Sequence, residues 1–147
     1  VKRWGRNSRL DNLQAAILSS KLKTYDKVIE RRRAVAQMYQ EMLGDIEKIK
    51  LPPPPDDTSD HFDVYQNYEI TADNRDGLKK YLNEKNIGTL IQWGGLAIHH
   101  FKHLGFNQKL SNTDDFFNRC IMLPMNIFIS NEDVEYICES VKSFYQK

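Results

Sequence analysis

The segment from Gly5 to Arg9 combines side-chain types that suit the binding of an anion. Gly5 permits backbone angles that other residues avoid, Asn7 offers an amide donor and Arg9 a guanidinium. The segment stands immediately before a helical pattern, and the free N–H groups and dipole at a helix start favour negative charge. This loop is therefore predicted to hold a phosphate or a carboxylate.

Both polar side chains of this loop have a second interpretation. The Arg9 guanidinium suits bidentate pairing with a substrate carboxylate or a diphosphate, and it equally suits a salt bridge to another domain. The Asn7 amide can contact a phosphate without adding charge, or it can simply cap the loop. The residues alone leave these alternatives open.

Two histidines four residues apart, His99 and His103, could share a helical face, as zinc ligands do. The neighbouring sequence offers no third ligand at a suitable spacing and no glutamate between the two histidines. We therefore expect no metal site. Asp114 and Asp115 are most simply the acidic start of a helix.

The composition is that of an ordinary globular chain of 147 residues, with 40% hydrophobic and 28% charged residues. A net charge of +1 gives no overall reason to expect nucleic acid or an anionic membrane as a partner. The arginines at positions 31–33 are expected to form a solvated helix face. Cys120 and Cys138 lie in apolar segments, as reduced buried thiols do, and we expect a cytoplasmic protein.

The apolar spacing predicts one long amphipathic helix from Asp11 to Gly44. Asp11 and Gln14 form the pattern of a capping box at its start. No proline occurs before Pro52, so the pattern permits an uninterrupted helix of about 30 residues. A helix of this length would normally span domains or protomers.

The rest of the chain alternates between strand and helix patterns. This order predicts an α+β fold in which a small, mostly antiparallel sheet is flanked by helices. We expect residues 1–50 to form a loop and connecting helix and residues 51–147 a small α/β domain. The predicted elements are a strand at 64–70, a helix at 75–84 capped by Asn74, a strand at 89–93, a short helix closing at Gly105, a helix at 112–119, a strand at 121–123 and a final helix from Ser130 to near Tyr145.

Four short motifs along the chain share one resemblance. Residues 5–16 read Gly-x-Asn-x-Arg-Leu-Asp-x-Leu-Gln-Ala-Ala, and residues 33–39 read Arg-x-x-Ala-x-x-Tyr. An Ile-Gly-Thr turn lies at 87–89 and a Leu-Pro-Met segment at 123–125. Together these motifs resemble the DegT/DnrJ/EryC1/StrS family of sugar aminotransferases, which use pyridoxal phosphate.

This resemblance implies a fold like the C-terminal small domain of aspartate-aminotransferase-fold enzymes. It implies a homodimer in which Asn7 reaches the phosphate of the neighbouring subunit's cofactor, and a nucleotide-sugar substrate that receives an amino group, usually from glutamate. The family's Schiff-base lysine, pyridine-facing aspartate and stacking aromatic ring belong to a large domain that cannot be placed in this chain. We therefore expect the chain to be inactive by itself.

The sequence departs from the family at residues 92–95, where many relatives have His-Tyr-Pro. The resemblance places this loop near the nucleotide-sugar, so Trp93 is expected to stack on a sugar or base while Gln92 and His99 donate hydrogen bonds. Alternatively, Trp93 belongs to the core and the two following glycines form a plain turn. Aligning His99 with the family's histidine needs a one-residue gap, which leaves His100 as an alternative.

Two rival functions remain open. One is the branch of the family that dehydrates keto-sugars, in which a histidine replaces the cofactor lysine. The other is a stand-alone dimerisation or binding module without catalytic residues, since the long helix would also suit a partner helix.

Overall fold

The computed structural model describes residues 10–56 and 62–146. Within them the fold is α+β, as predicted, with five α-helices and a three-stranded antiparallel sheet. The elements are α1 (Asn12–Leu22), α2 (Tyr25–Leu43), β1 (Ile49–Lys50), β2 (Tyr68–Ala72), α3 (Arg75–Glu84), α4 (Ser111–Arg119), β3 (Cys120–Leu123) and α5 (Asn131–Tyr145). Three short 3-10 turns lie between α3 and α4.

The prediction of one uninterrupted helix is wrong, because the chain breaks between α1 and α2. Thr24 leaves the helical region with φ −122° and ψ 13°. Its N–H and its hydroxyl both donate to the Lys21 carbonyl, at 3.1 and 3.3 Å. Hydrogen bonds to a carbonyl three residues earlier tighten the helical turn and compete with the regular α-helical bonds, which reach four residues back. The predicted ends are confirmed, with a capping box at Asp11 and the last helical residue just before Gly44.

The two helices differ sharply in burial. α1 has no buried residue, and the side chains of Leu13 and Ile17 are 71% and 50% exposed. α2 buries Val35, Ala36, Tyr39 and Leu43. The core thus begins at α2 and leaves the apolar side chains of α1 uncovered. No helix in residues 10–56 and 62–146 combines the length and apolarity that crossing a membrane requires.

The arginine run on α2 is a second correction, since these side chains are half-buried anchors and not a solvated face. Arg31 donates to the Asn131 side-chain oxygen at 2.8 Å, and Arg32 donates to the Tyr65 carbonyl at 2.9 Å. Arg33 donates to the backbone carbonyl of residue 63 at 2.9 Å. Guanidinium groups satisfy carbonyls that the irregular segments leave unpaired.

The sheet has the order β1-β2-β3, and β2 is its central strand. Tyr68, Ile70 and Ala72 are buried along β2, the period of two expected of a strand. The strand starts later than predicted because Tyr65 adopts a positive φ of 48° and its N–H donates to an Asp63 carboxylate oxygen at 2.7 Å. The short strand β1 was not predicted.

The predicted strand at 89–93 is also wrong. Only Leu90 pairs there, as a single bridge to Met122, with N–O distances of 3.3 and 2.8 Å. This bridge fixes the start of an irregular segment beside β3. The helix and strand predicted at 112–119 and 121–123 are confirmed as α4 and β3, and Gly105 adopts the left-handed conformation expected of it.

The helices α2, α3 and α5 pack on the sheet around one apolar core. The rings of Tyr39 and Tyr68 lie 4.7 Å apart at its centre, and burial raises the pKa of both phenols. Cys120 and Cys138 are buried free thiols, as predicted. α5 begins with the predicted capping box, in which the Asp133 N–H donates to the Ser130 hydroxyl at 3.0 Å.

Candidate functional site

The turn at Gln92–Gly95 has an unusual backbone. Trp93, Gly94 and Gly95 have consecutive positive φ angles of 51°, 66° and 77°. The two glycines adopt this region freely, whereas for a bulky residue such as tryptophan it is an outlier that signals strain. The Trp93 side chain is 77% exposed, so the alternative that it belongs to the core is wrong.

The strained turn forms one edge of an open cavity of about 730 Å³. One wall comes from the segment between the turn and α4, with Leu96, Ile98, Phe101 and Phe106 among its residues. The opposite wall comes from α4, with Thr113 and Phe117. The volume is that of a small-molecule site, and the lining is predominantly apolar and aromatic.

Three polar side chains interrupt this apolar lining, namely His99, Gln108 and Thr113. His99 is only 8% exposed. Among the described residues that line the cavity there is no aspartate, glutamate, lysine or arginine. Such a surface favours an uncharged ring over a diphosphate or a carboxylate, because a charge placed there would lose its water without gaining a partner.

His99 and His100 both contact the same carboxylate oxygen. The Nε2 atoms of the two imidazoles each lie 2.7 Å from Oδ1 of Asp114. Asp114 belongs to the first turn of α4, so these contacts connect the helix to the loop wall of the cavity. Both hydrogen bonds lower the pKa of Asp114, the one from His100 more strongly. The carboxylate is therefore ionised at neutral pH.

The ionised carboxylate decides which ring nitrogens carry protons. It can only accept hydrogen bonds, so both histidines must donate through Nε2. The Nδ1 atom of His100 accepts from the backbone N–H of Ala97 at 3.2 Å, which agrees with this assignment. The arrangement is a hydrogen-bonded cluster, which we call the imidazole–carboxylate triad of His99, His100 and Asp114.

The triad is also a group of three potential metal ligands, with ligand atoms within 4.8 Å of one another. Its members were not predicted together, because the partner considered for His99 was His103 and Asp114 was interpreted only as a helix start. A metal on Nε2 of His100 would need the proton on Nδ1, where it would face the N–H of Ala97. Two donors would then oppose each other, so the geometry favours the hydrogen-bonded arrangement.

The structure unites some of the predicted site residues. Trp93 and His99 line the cavity, and Gln92 lies in the same turn but does not line it. Asn7 and Arg9 lie outside the described residues. The three phenylalanines of the lining, Phe101, Phe106 and Phe117, were not predicted as site residues. One signal was the spacing of Thr113 and Phe117, which are four residues apart and share a face of α4.

Comparison with known proteins identifies the class to which this fold and cavity belong. The sequence model of the DegT/DnrJ/EryC1/StrS aminotransferase family matches residues 1–142. The chain therefore belongs to this family, and its structural neighbours have the aminotransferase fold.

Individual relatives are similar to nearly the whole length of this chain. A pleiotropic regulatory protein of Geobacillus stearothermophilus is 33% identical over 97% of this chain and 39% of its own length. A dTDP-3-amino-3,6-dideoxy-alpha-D-galactopyranose transaminase of Aneurinibacillus thermoaerophilus is 35% identical over 95% of this chain and 38% of its own length. The crystal structure of a family aminotransferase from Brucella abortus matches with a TM-score of 0.79, 32% identity and coverage of 99% of this chain and 38% of that one. The chain thus spans about two fifths of the relatives that it matches.

The aminotransferases of this family depend on pyridoxal phosphate. The cavity of the described residues does not fit that cofactor, because its lining includes no lysine for a covalent bond and no cation for the phosphate. The residue that the resemblance assigns to the cofactor phosphate, Asn7, lies outside the described part. The cavity is therefore suited to an uncharged ring and not to the cofactor.

Proposed function

We propose that this chain is the C-terminal part of a pyridoxal-phosphate-dependent nucleotide-sugar aminotransferase. The whole enzyme transfers an amino group, usually from glutamate, to a keto-sugar nucleotide in amino-sugar and polysaccharide biosynthesis. The match to the aminotransferase family over residues 1–142 carries this proposal. We also propose that this chain is inactive by itself, because it spans only about two fifths of the relatives that it matches.

The role of this part is to shape the substrate site from one side. Trp93 stacks on an uncharged ring of the substrate, and the strain at its backbone together with its exposed indole supports this role. The Nε2–H of His99 donates to Asp114, so His99 accepts a hydrogen bond from the substrate through Nδ1. Gln92, which lies in the same turn as Trp93, supplies a further hydrogen bond. Arg9 binds the diphosphate or a carboxylate, which the apolar cavity would not accept.

We also infer a cytoplasmic homodimer in which Asn7 contacts the cofactor phosphate of the neighbouring subunit. The uncovered apolar side chains of α1 support an assembly that buries this helix against the rest of the enzyme. The large domain of the enzyme would contribute the lysine.

The decisive experiment compares cofactor binding by this chain and by the product of its whole gene. Each protein is titrated with pyridoxal phosphate and then reduced with borohydride, which traps a lysine-bound cofactor. We expect trapped cofactor only in the whole gene product. Cofactor that binds there without being trapped would indicate the keto-sugar dehydratase branch, and no binding in either protein would contradict the proposed function.

The role of Asn7 has its own test in the whole gene product. N7A should weaken pyridoxal phosphate binding by roughly tenfold, because one hydrogen bond to a charged group is lost. N12A, on the exposed first turn of α1, is the matched control and should leave the affinity unchanged. Equal affinities for all three proteins would remove Asn7 from the cofactor site.

A further inference from the structure

Asp114 stands at the junction of the two cavity walls without lining the cavity itself. Its neighbour on α4, Thr113, faces the cavity, as does Phe117 one turn later. The Asp114 carboxylate instead reaches the loop wall, where a single oxygen accepts from both imidazoles of the triad at 2.7 Å.

The two contacts act on different parts of the loop wall. The hydrogen bond to His99 holds a residue of the cavity lining directly, because the His99 ring is part of the wall. The branch through His100 continues to the backbone of Ala97, whose N–H donates to Nδ1 at 3.2 Å. Ala97 also lines the cavity. One carboxylate oxygen is thus linked to two neighbouring points of the same wall.

We propose that Asp114 is a positioning residue of the cavity, holding His99 and His100 so that the loop wall stays docked against α4. An ionised acceptor makes stronger hydrogen bonds than a neutral one, and this acceptor makes two of them. Without it, the buried His99 ring keeps an Nε2–H with no acceptor, which is unfavourable enough to move the loop.

A purely structural role of Asp114 predicts that removing its carboxylate lowers the global stability of the fold. The proposal predicts little change in global stability, because the Asp114 side chain is partly exposed and its replacement leaves no buried void. A positioning role predicts a local effect on the two imidazoles and on ligand affinity. Asp115 is the matched control, because it is the next residue on α4 and its carboxylate pairs only loosely with Arg119, at 3.7 Å.

The first test uses this chain and needs no ligand. Histidine-ring NMR of the ¹⁵N-labelled protein reports which ring nitrogens carry protons and how fast those protons exchange with water. We expect protonated Nε2 atoms in both rings of the wild type, and exchange at least roughly tenfold faster in D114A. D114N should restore slow exchange, because its amide oxygen can accept the same bonds. D115A should match the wild type.

Two results of this test would overturn the proposal. Unchanged ring signals and exchange rates in D114A would show that the carboxylate does not hold the imidazoles. Stoichiometric Zn²⁺ binding to the wild type, lost in D114A and accompanied by deprotonated Nε2 atoms, would show that the triad is a metal site.

The second test rests on the proposed function and uses the whole gene product. D114A should raise KM for the keto-sugar nucleotide roughly fivefold or more and leave kcat within about twofold, since binding but not chemistry is affected. D115A should change neither. A fall in kcat at unchanged KM would contradict positioning of the cavity. If neither the wild type nor any variant turns over the keto-sugar nucleotide, the proposed function fails, whereas the NMR result for Asp114 stands.

Discussion

The hydroxyl of Tyr39 donates to the backbone carbonyl of Pro124 at 2.8 Å, from a ring that is completely buried in the core. This bond connects the C-terminal half of α2 to the chain just after β3. It crosses 85 residues of sequence and holds two elements that no local pattern relates. The bond thereby fixes α2, which carries the arginine anchors, against the sheet.

Removing this hydroxyl should destabilise the fold measurably. Y39F leaves the Pro124 carbonyl without its buried partner, so we expect a loss of about 1–2 kcal/mol in the free energy of unfolding. Urea unfolding followed by circular dichroism measures the loss, with an unchanged dependence on urea. Y136F is the matched control, because the Tyr136 hydroxyl donates to the Lys85 carbonyl at 3.2 Å on the exposed surface. A larger loss in Y136F than in Y39F would contradict the importance of the buried bond.

Replacing Trp93 should separate binding from stability. W93G removes a strained left-handed residue whose side chain is largely exposed, so we expect stability to stay within about 0.5 kcal/mol of the wild type or to rise. Affinity of the whole gene product for its keto-sugar nucleotide should fall roughly tenfold, since a stacking surface is lost.

The control for this prediction is F128A. The Phe128 side chain is 89% exposed and lies outside the cavity lining, so its removal tests the loss of an exposed aromatic ring as such. Affinity should be unchanged in F128A. If W93G unfolds at clearly lower urea than F128A, the indole contributes to the fold and the strain argument fails.

The uncovered face of α1 should make this chain self-associate when it is expressed alone. Exposed apolar side chains at Leu13 and Ile17 favour burial against another copy. We expect the sedimentation coefficient to rise with concentration in the wild type and to become independent of concentration in the double variant L13E/I17E. S19E/S20E adds the same charge to polar positions of α1 and should still associate. A wild type that remains monomeric at all concentrations would contradict this prediction.

The Cys138 thiol should make stability depend on alkaline pH. Burial raises its pKa to about 12 in the folded chain, whereas a cysteine in the unfolded chain has a pKa of about 8.5. The stability that the buried, protonated thiol contributes is fully present below the pKa of the unfolded state. It is lost as pH rises toward the pKa of the folded state. In that window the unfolded state has released the proton and the folded state has not, so stability falls by about 1.4 kcal/mol per pH unit.

The measurement is the difference in unfolding free energy between wild type and C138A from pH 7 to pH 10. C138A lacks the titrating thiol. The buried tyrosines and Cys120 are present in both proteins, so their effects on stability cancel in the difference. The advantage of the wild type over C138A should be constant up to about pH 8 and should shrink at higher pH. A difference that does not vary with pH would show that the thiol is not protected from ionisation in the folded chain.

The sequence by itself predicted the elements whose signals are local. Capping boxes at Asp11 and Ser130 were found because their two partners are three residues apart, and the left-handed Gly105 was found because glycine suits that backbone. The apolar periodicity of α2, α3 and α5 was sufficient because one face of each helix is buried in the core. The resemblance to the family followed from four short motifs, each of which is a run of consecutive residues.

Other features depended on contacts that only the folded chain makes. The arginines of α2 look like a solvated face until the irregular segment at 62–66 brings unpaired carbonyls to them. The pattern at 89–93 resembles a strand, but only Leu90 meets a pairing partner, and the backbone then turns left-handed at Trp93. Asp114 looks like a helix start, and the fold places its carboxylate beside His99 and His100. Backbone propensity and spacing act within a few residues, whereas these features arise from hydrogen-bond partners and packing surfaces that folding brings from distant parts of the chain.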